Sequence, residues 1–91
     1  MEITEISVII REEDKLKAFV NVTFDDQFVI RGMKIIRGAD KYFLSMPSRR
    51  MPNGTFRDIA HPINSDFRDE LERRVLEEYF RQSGLDLKPE I

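Results

Sequence analysis

The apolar residues of this 91-residue chain keep one spacing through its first half and a different one in its last third. Leu16, Ala18, Val20, Val22 and Phe24 occupy every second position and alternate with Lys17, Phe19, Asn21 and Thr23. Phe67, Leu71, Val75 and Tyr79 recur every fourth position, and Leu76 and Phe80 widen that stripe. A period of two marks a strand with one buried face, and a period near 3.6 marks an amphipathic helix. Strands that precede a helix rather than alternate with it predict an α+β fold built on an antiparallel meander.

The same pattern divides the chain into five expected strands and one helix. Ile6, Val8 and Ile10 alternate with Ser7 and Ile9 in a first strand near residues 3–11, and a polar turn over residues 12–15 leads into the second. A third strand over residues 27–37 changes phase: Phe28 and Ile30 are its apolar members before Gly32, Met33 and Ile35 after it. A glycine where the apolar phase flips predicts a β-bulge. One extra residue absorbed there puts Arg31 and Lys34 on the same outward face despite their odd spacing. A fourth strand runs over residues 41–46, with Tyr42, Leu44 and Met46 on one face and Phe43 on the other, and Pro47 ends it. Residues 47–54 read as a loop whose Pro52-Asn53-Gly54 is turn chemistry. A short fifth strand follows at residues 55–59. Asn64 or Ser65 caps a helix starting near Asp66, and Gly84 suits the position just past its end. The expected fold is therefore a five-stranded antiparallel meander with one long C-terminal helix packed on one face. Residues 1–84 form a single domain, and residues 85–91, which contain Pro89, form a flexible tail.

Ile9, Phe19 and Phe43 fall on the sheet face that a single helix leaves open. A domain of this size buries only ~60% of its unfolded surface, so a second subunit over exposed apolar residues would help it. A homodimer is the expected state.

Several function classes are excluded by composition. The chain has no cysteine, which removes disulfides, thiolate metal sites and thiol nucleophiles. Its single histidine, His61, rules out a His-rich metal site, and the carboxylates show no ligand spacing, so no metal and no cofactor is expected. No apolar run is long enough to insert in a membrane. The acidic N-terminus has no basic export region, so the expected location is the cytoplasm. Asp58 and His61 are three apart, but beside a proline at a strand end that histidine reads as a loop fastener. No catalytic residue is expected, and the chain reads as a non-enzyme.

Charge is the feature that points to a function. The net charge is −2, yet residues 27–57 hold seven bases (Arg31, Lys34, Arg37, Lys41, Arg49, Arg50 and Arg57) against one acid, Asp40. The flanking segments are acidic. Screening confines each field to about 8–10 Å, so a local positive face is compatible with an acidic whole. Arg49-Arg50 lies between two prolines, and arginine's planar fork suits phosphate and guanine edges. The competing reading is an ordinary solvated hairpin tip. The helix arginines form acid-before-base pairs at the favourable spacing, Asp69–Arg73, Glu70–Arg74 and Glu77–Arg81, and are expected to be surface ion pairs. Arg68, with no acid four residues later, is expected to meet a strand carboxylate or the ligand face.

Phe28-Val29-Ile30-Arg31, Met33-Lys34-Ile35-Ile36, the run Phe43-Leu44-Ser45-Met46-Pro47-Ser48-Arg49-Arg50 and the run from Gly54 through Phe56-Arg57-Asp58-Ile59-Ala60-His61-Pro62-Ile63-Asn64 resemble the SpoVG family of bacterial proteins. The family is named for stage V sporulation protein G. The resemblance covers nearly the whole chain. It implies a homodimeric α+β regulator of septation, that is cell division and the cell cycle, and of sporulation, which binds DNA and RNA. It strengthens the binding reading of Arg49 and Arg50, with Arg57, Arg31, Lys34 and Lys41 as further nucleic-acid-binding candidates. The alternative is a protein–protein module of the division machinery that works through the open sheet face.

Overall fold

The computed structural model describes residues 1–84; the expected tail, 85–91, lies outside the described residues. The elements are β1 (Ile3–Ile10), β2 (Leu16–Phe24), β3 (Phe28–Arg37), β4 (Tyr42–Ser45), β5 (Ser48–Arg50), β6 (Phe56–Asp58) and α1 (Ser65–Ser83). The α+β class and the strands-then-helix order are as expected. The strand count is not. Strands β1 to β4 make one antiparallel sheet in sequential order, and β5 and β6 pair only with each other. The meander thus has four strands, and the segment expected as its fifth belongs to a separate two-stranded ribbon. Pro47, which has no N–H to give, ends β4 and releases the chain from the sheet. The chain then folds back on itself instead of returning to β4.

The phase change at Gly32 is a bulge. Val20 faces Met33 and Val22 faces Ile30, so two steps along β2 match three along β3. Gly32 has φ +85°, which an L side chain adopts only with strain. Because the bulge absorbs one residue, Ile30, Met33 and Ile35 all face the core, while Arg31 and Lys34 are exposed.

One face of the sheet supplies Ile3, Ala18, Val20, Val22, Phe24, Met33, Ile35, Leu44 and Met46 to the core. Helix α1 lays Leu71, Val75, Leu76, Tyr79 and Phe80 across it. Two polar contacts fix the helix in place. The Glu72 carboxylate accepts the N–H of Leu44 at 2.9 Å, satisfying a donor on the edge strand. The Tyr79 hydroxyl donates to Glu12 Oε1 at 3.0 Å, tying the helix to the β1–β2 turn. On the opposite face, Ile9 pairs with Phe19 across β1 and β2, and Ile36 with Phe43 across β3 and β4. Ile9 and Phe43 are exposed, as the alternation predicts. Arg11 lies 5.7 Å above the Phe19 ring, a cation–π contact that covers part of this face.

Asn64 is the N-cap: its Oδ1 accepts the N–H of Phe67 at 2.9 Å. Gly84 closes the other end in the left-handed conformation. Replacing Asn64 with Ala is expected to cost about 1 kcal/mol. In a domain of this size that lowers Tm by roughly 4–8 °C, read by thermal melting.

The helix ion pairs differ from the spacing rule. Arg73 pairs forward with Glu77 at 3.3 Å, and Arg81 turns back to Glu78. Arg74 is half-buried against the sheet and donates to the Ile3 carbonyl at 3.4 Å, which removes it from Glu70. A helical arginine chooses among carboxylates three and four residues away on either side, and sheet packing biases that choice. Arg68 is exposed and makes no ion pair among the described residues.

Candidate nucleic-acid interface

The β5–β6 ribbon brings the predicted loop arginines into register. Ser48 faces Asp58, Arg49 faces Arg57, and Arg50 faces Phe56. Arg49 and Arg50 therefore lie on a strand, not on an irregular loop. In a strand, adjacent side chains point to opposite faces. One ribbon face carries Arg49 and Arg57 side by side, and the other carries Arg50 beside Phe56.

Both ends of the ribbon are locked. At the tip, Met51 N–H donates to the Thr55 carbonyl at 2.7 Å and Gly54 N–H to the Met51 carbonyl at 2.9 Å. Asn53 Oδ1 accepts from both the backbone N–H and the hydroxyl of Thr55, at 3.1 and 2.6 Å. At the root, Ile59 N–H donates to the Pro47 carbonyl at 2.7 Å. The arginines are thus held on a stiff support.

Arg49 directly opposite Arg57 is an unfavourable arrangement. Cross-strand neighbours have Cβ atoms about 4.5–5.5 Å apart, and like charges there repel. No carboxylate of the described residues relieves them: neither arginine makes an ion pair, and both are exposed. A polyanion would convert this repulsion into two attractive contacts, and an arginine fork can hold a phosphate through two parallel hydrogen bonds.

The other basic candidates fall into two groups. Lys34 faces Ser45 at the end of β4 that leads into the ribbon. Arg31 precedes the bulge glycine, and a Cβ built on Gly32 would lie 3.8 Å from Pro47 Cβ. Both bases therefore sit near the ribbon's root. Lys41 does not join them. It stands in the β3–β4 turn, where its carbonyl accepts the Gly38 N–H at 2.8 Å. That turn is at the far end of β4, so Lys41 is separated from the ribbon by the length of the strand.

Asp58 and His61 are both exposed and make no hydrogen bond to each other; the His61 ring reaches only the Pro62 carbonyl, with Nδ1 at 3.1 Å. No group of three potential metal ligands occurs among the described residues. No helix among them is long and apolar enough to cross a membrane.

Phe56 is the residue that spacing alone did not single out. It is 70% exposed and is the apolar residue of two ribbon strands that are otherwise polar. The signal was present in the turn: Pro52-Asn53-Gly54 flanked by two short runs folds residue 50 against residue 56.

The chain is similar in sequence to known proteins. The SpoVG family model matches residues 1–81. The chain is 52% identical over 82 residues to a protein of Anaeromyxobacter sp. (strain K) named "Putative septation protein SpoVG", covering 90% of this chain and 81% of that one. Proteins of the same name show 52% identity over 80 residues in Thermoanaerobacter sp. (strain X514), covering 87% of each chain, and 44% over 89 residues in Clostridium perfringens (strain 13 / Type A), covering 97% of this chain and 99% of that one. The family model spans every strand and nearly all of α1, so the likeness extends to the whole described fold, and this chain belongs to the SpoVG family.

Proposed function

We propose that this chain is a non-enzymatic regulator of septation and sporulation that acts in the cytoplasm as a homodimer binding DNA or RNA. The septation part rests on the names of its relatives. The nucleic-acid part rests on one observation: Arg49 and Arg57 face each other across a stiff, exposed ribbon with no carboxylate of the described residues on either. Lys34 and Arg31 extend the positive surface toward the sheet, and Arg50 adds a cation on the ribbon's other face. A two-stranded ribbon can enter a groove or follow a phosphate backbone. Two copies of it in a dimer suit a two-part site.

The double replacement of Arg49 and Arg57 with Ala tests this reading. It removes two phosphate contacts per protomer, so affinity for a random-sequence nucleic-acid pool falls roughly tenfold or more, and the log–log salt slope flattens by about two for each protomer engaged, about four for the dimer. The fold remains, because the replaced pair is repulsive; thermal melting at an unchanged or slightly higher temperature checks this. Unchanged affinity and slope would take the ribbon out of the site.

A second reading is favoured by the outer sheet face. Exposed Ile9 and Phe43, with half-buried Ile36 across the strand from Phe43, suit a partner protein of the division machinery. Binding to such a partner that survives nuclease treatment and is lost on replacing Phe19 would support it over the first.

A further inference from the structure

Next to the ribbon's root an apolar cavity of about 340 Å³ opens between the sheet and the first turns of α1. The buried core residues Phe24, Met33, Met46 and Leu71 lie behind it, and its accessible sides are Met1, half-buried Ile30 and Phe67, and Ile63 on the segment joining the ribbon to the helix. A dry apolar cavity of about 150 Å³ is enough to take a benzene ring. This one therefore has room for a phenyl side chain and more.

The same chain carries the matching plug. Phe56 is 70% exposed, and Ile59 and Ile63, farther along the chain, are 65% and 95% exposed. The chain does not place its own Phe56 in its own cavity: the ladder to Arg50 and the Ile59–Pro47 bond hold the ribbon, with the ring left in solvent.

Charge agrees with shape. Phe24 and Met1 line the cavity, and their chain neighbours Glu2, Asp25 and Asp26 are exposed acids. Glu2 N–H donates to Asp25 Oδ1 at 2.9 Å, which holds the two segments together. On the ribbon, Arg50 lies beside Phe56 and has no ion pair among the described residues. An aromatic ring with a cation next to it thus matches an apolar cavity with acids next to it. A small apolar ligand would fill the cavity but leave Phe56 and Arg50 unexplained. A second copy accounts for all of these features, and by two-fold symmetry it does so twice.

We propose that the ribbons are exchanged between protomers: Phe56 of each seats in the other's cavity, with Arg50 over the acids. This deepens the homodimer reading above and rests on it. It also divides the work of the ribbon: Arg49 and Arg57 stay outward for nucleic acid on the opposite face, and Arg50 leaves the nucleic-acid surface for the dimer contact.

The absence of cysteine makes the test direct. Phe56→Cys and Phe67→Cys proteins are prepared separately, mixed until subunits exchange, and treated with a short bis-maleimide. Ribbon exchange gives several-fold more covalent dimer in the mixture than in either protein alone. Phe56→Ala, which changes an exposed residue and so leaves the protomer folded, weakens the dimer at least tenfold by sedimentation. A wild-type dimer with no extra cross-link in the mixture and an unchanged dissociation constant in Phe56→Ala overturns ribbon exchange and leaves the homodimer standing. A wild-type protein that is monomeric at every concentration overturns both. A cross-link confined to single chains of the Phe56→Cys/Phe67→Cys double variant assigns the cavity to the chain's own ribbon and also overturns the exchange.

Discussion

Tyr79→Ala is expected to remove about 3–5 kcal/mol of stability, the range for deleting a large buried aromatic. Small domains have only about 5–15 kcal/mol in total, so a large part of the protein's stability would go. Tyr79 is fully buried and packs on two other rings, with centroids 6.0 Å from Tyr42 and 5.2 Å from Phe80. Its hydroxyl reaches Glu12. Tyr79→Phe separates the two roles, because it keeps the ring and deletes only the hydrogen bond. That change should cost about 1 kcal/mol. Urea titrations of the two variants measure both figures. Equal losses in the two would show that the hydroxyl, not the packing, holds this end of the helix.

The hydroxyl also sets an alkaline limit. Burial, and then the bond to the Glu12 carboxylate, push the Tyr79 phenol well above its ordinary value near 10. An unfolded chain ionises this group first. The stabilising contribution is therefore complete below about pH 10 and declines as pH rises beyond it. In Tyr79→Phe that part of the alkaline loss should disappear from a series of unfolding curves.

Deleting Gly32 is expected to abolish the native fold. Without the extra residue, β3 can match β2 on only one side of the deletion. If the first half keeps its register, Met33 and Ile35 turn outward and Lys34 turns into the core. Each apolar residue moved out of the core forfeits about 1.5–3 kcal/mol, and an unpaired lysine moved in costs several more. Together these approach the whole stability of a small domain. Gly32→Ala is the control. It keeps the register and meets only Pro47 at ordinary contact distance, so its cost is the left-handed backbone alone, roughly 1–2 kcal/mol. A deletion protein that still unfolds cooperatively, with native near-ultraviolet dichroism, would show that the bulge does not set the register.

Much of the fold was legible because the relevant forces are short-ranged. The alternation in β2 and the phase flip at Gly32 follow from the two-residue repeat of a strand. The helix and its caps follow from a four-residue spacing bounded by Asn64 and Gly84. The ribbon was harder to see. Ser48-Arg49-Arg50 is polar throughout and exposed on both faces, so it carries no alternation from which a strand could be inferred. The helix ion pairs were misassigned for a similar reason: several carboxylates lie within reach of each arginine, and only contact with the sheet takes Arg74 out of the competition.

The candidate site divides in the same way. That residues 27–57 are basic, and that two adjacent arginines lie between prolines, could be read directly from the order of residues. Tertiary structure alone set Arg57 opposite Arg49, moved Lys41 to the far end of β4, and left Phe56 in solvent. Backbone geometry imposes its periods on every few residues regardless of what lies elsewhere, so sequence suffices for them. Which side chain stands across from which depends on where separate segments come to rest, and that is settled only when the whole chain has packed.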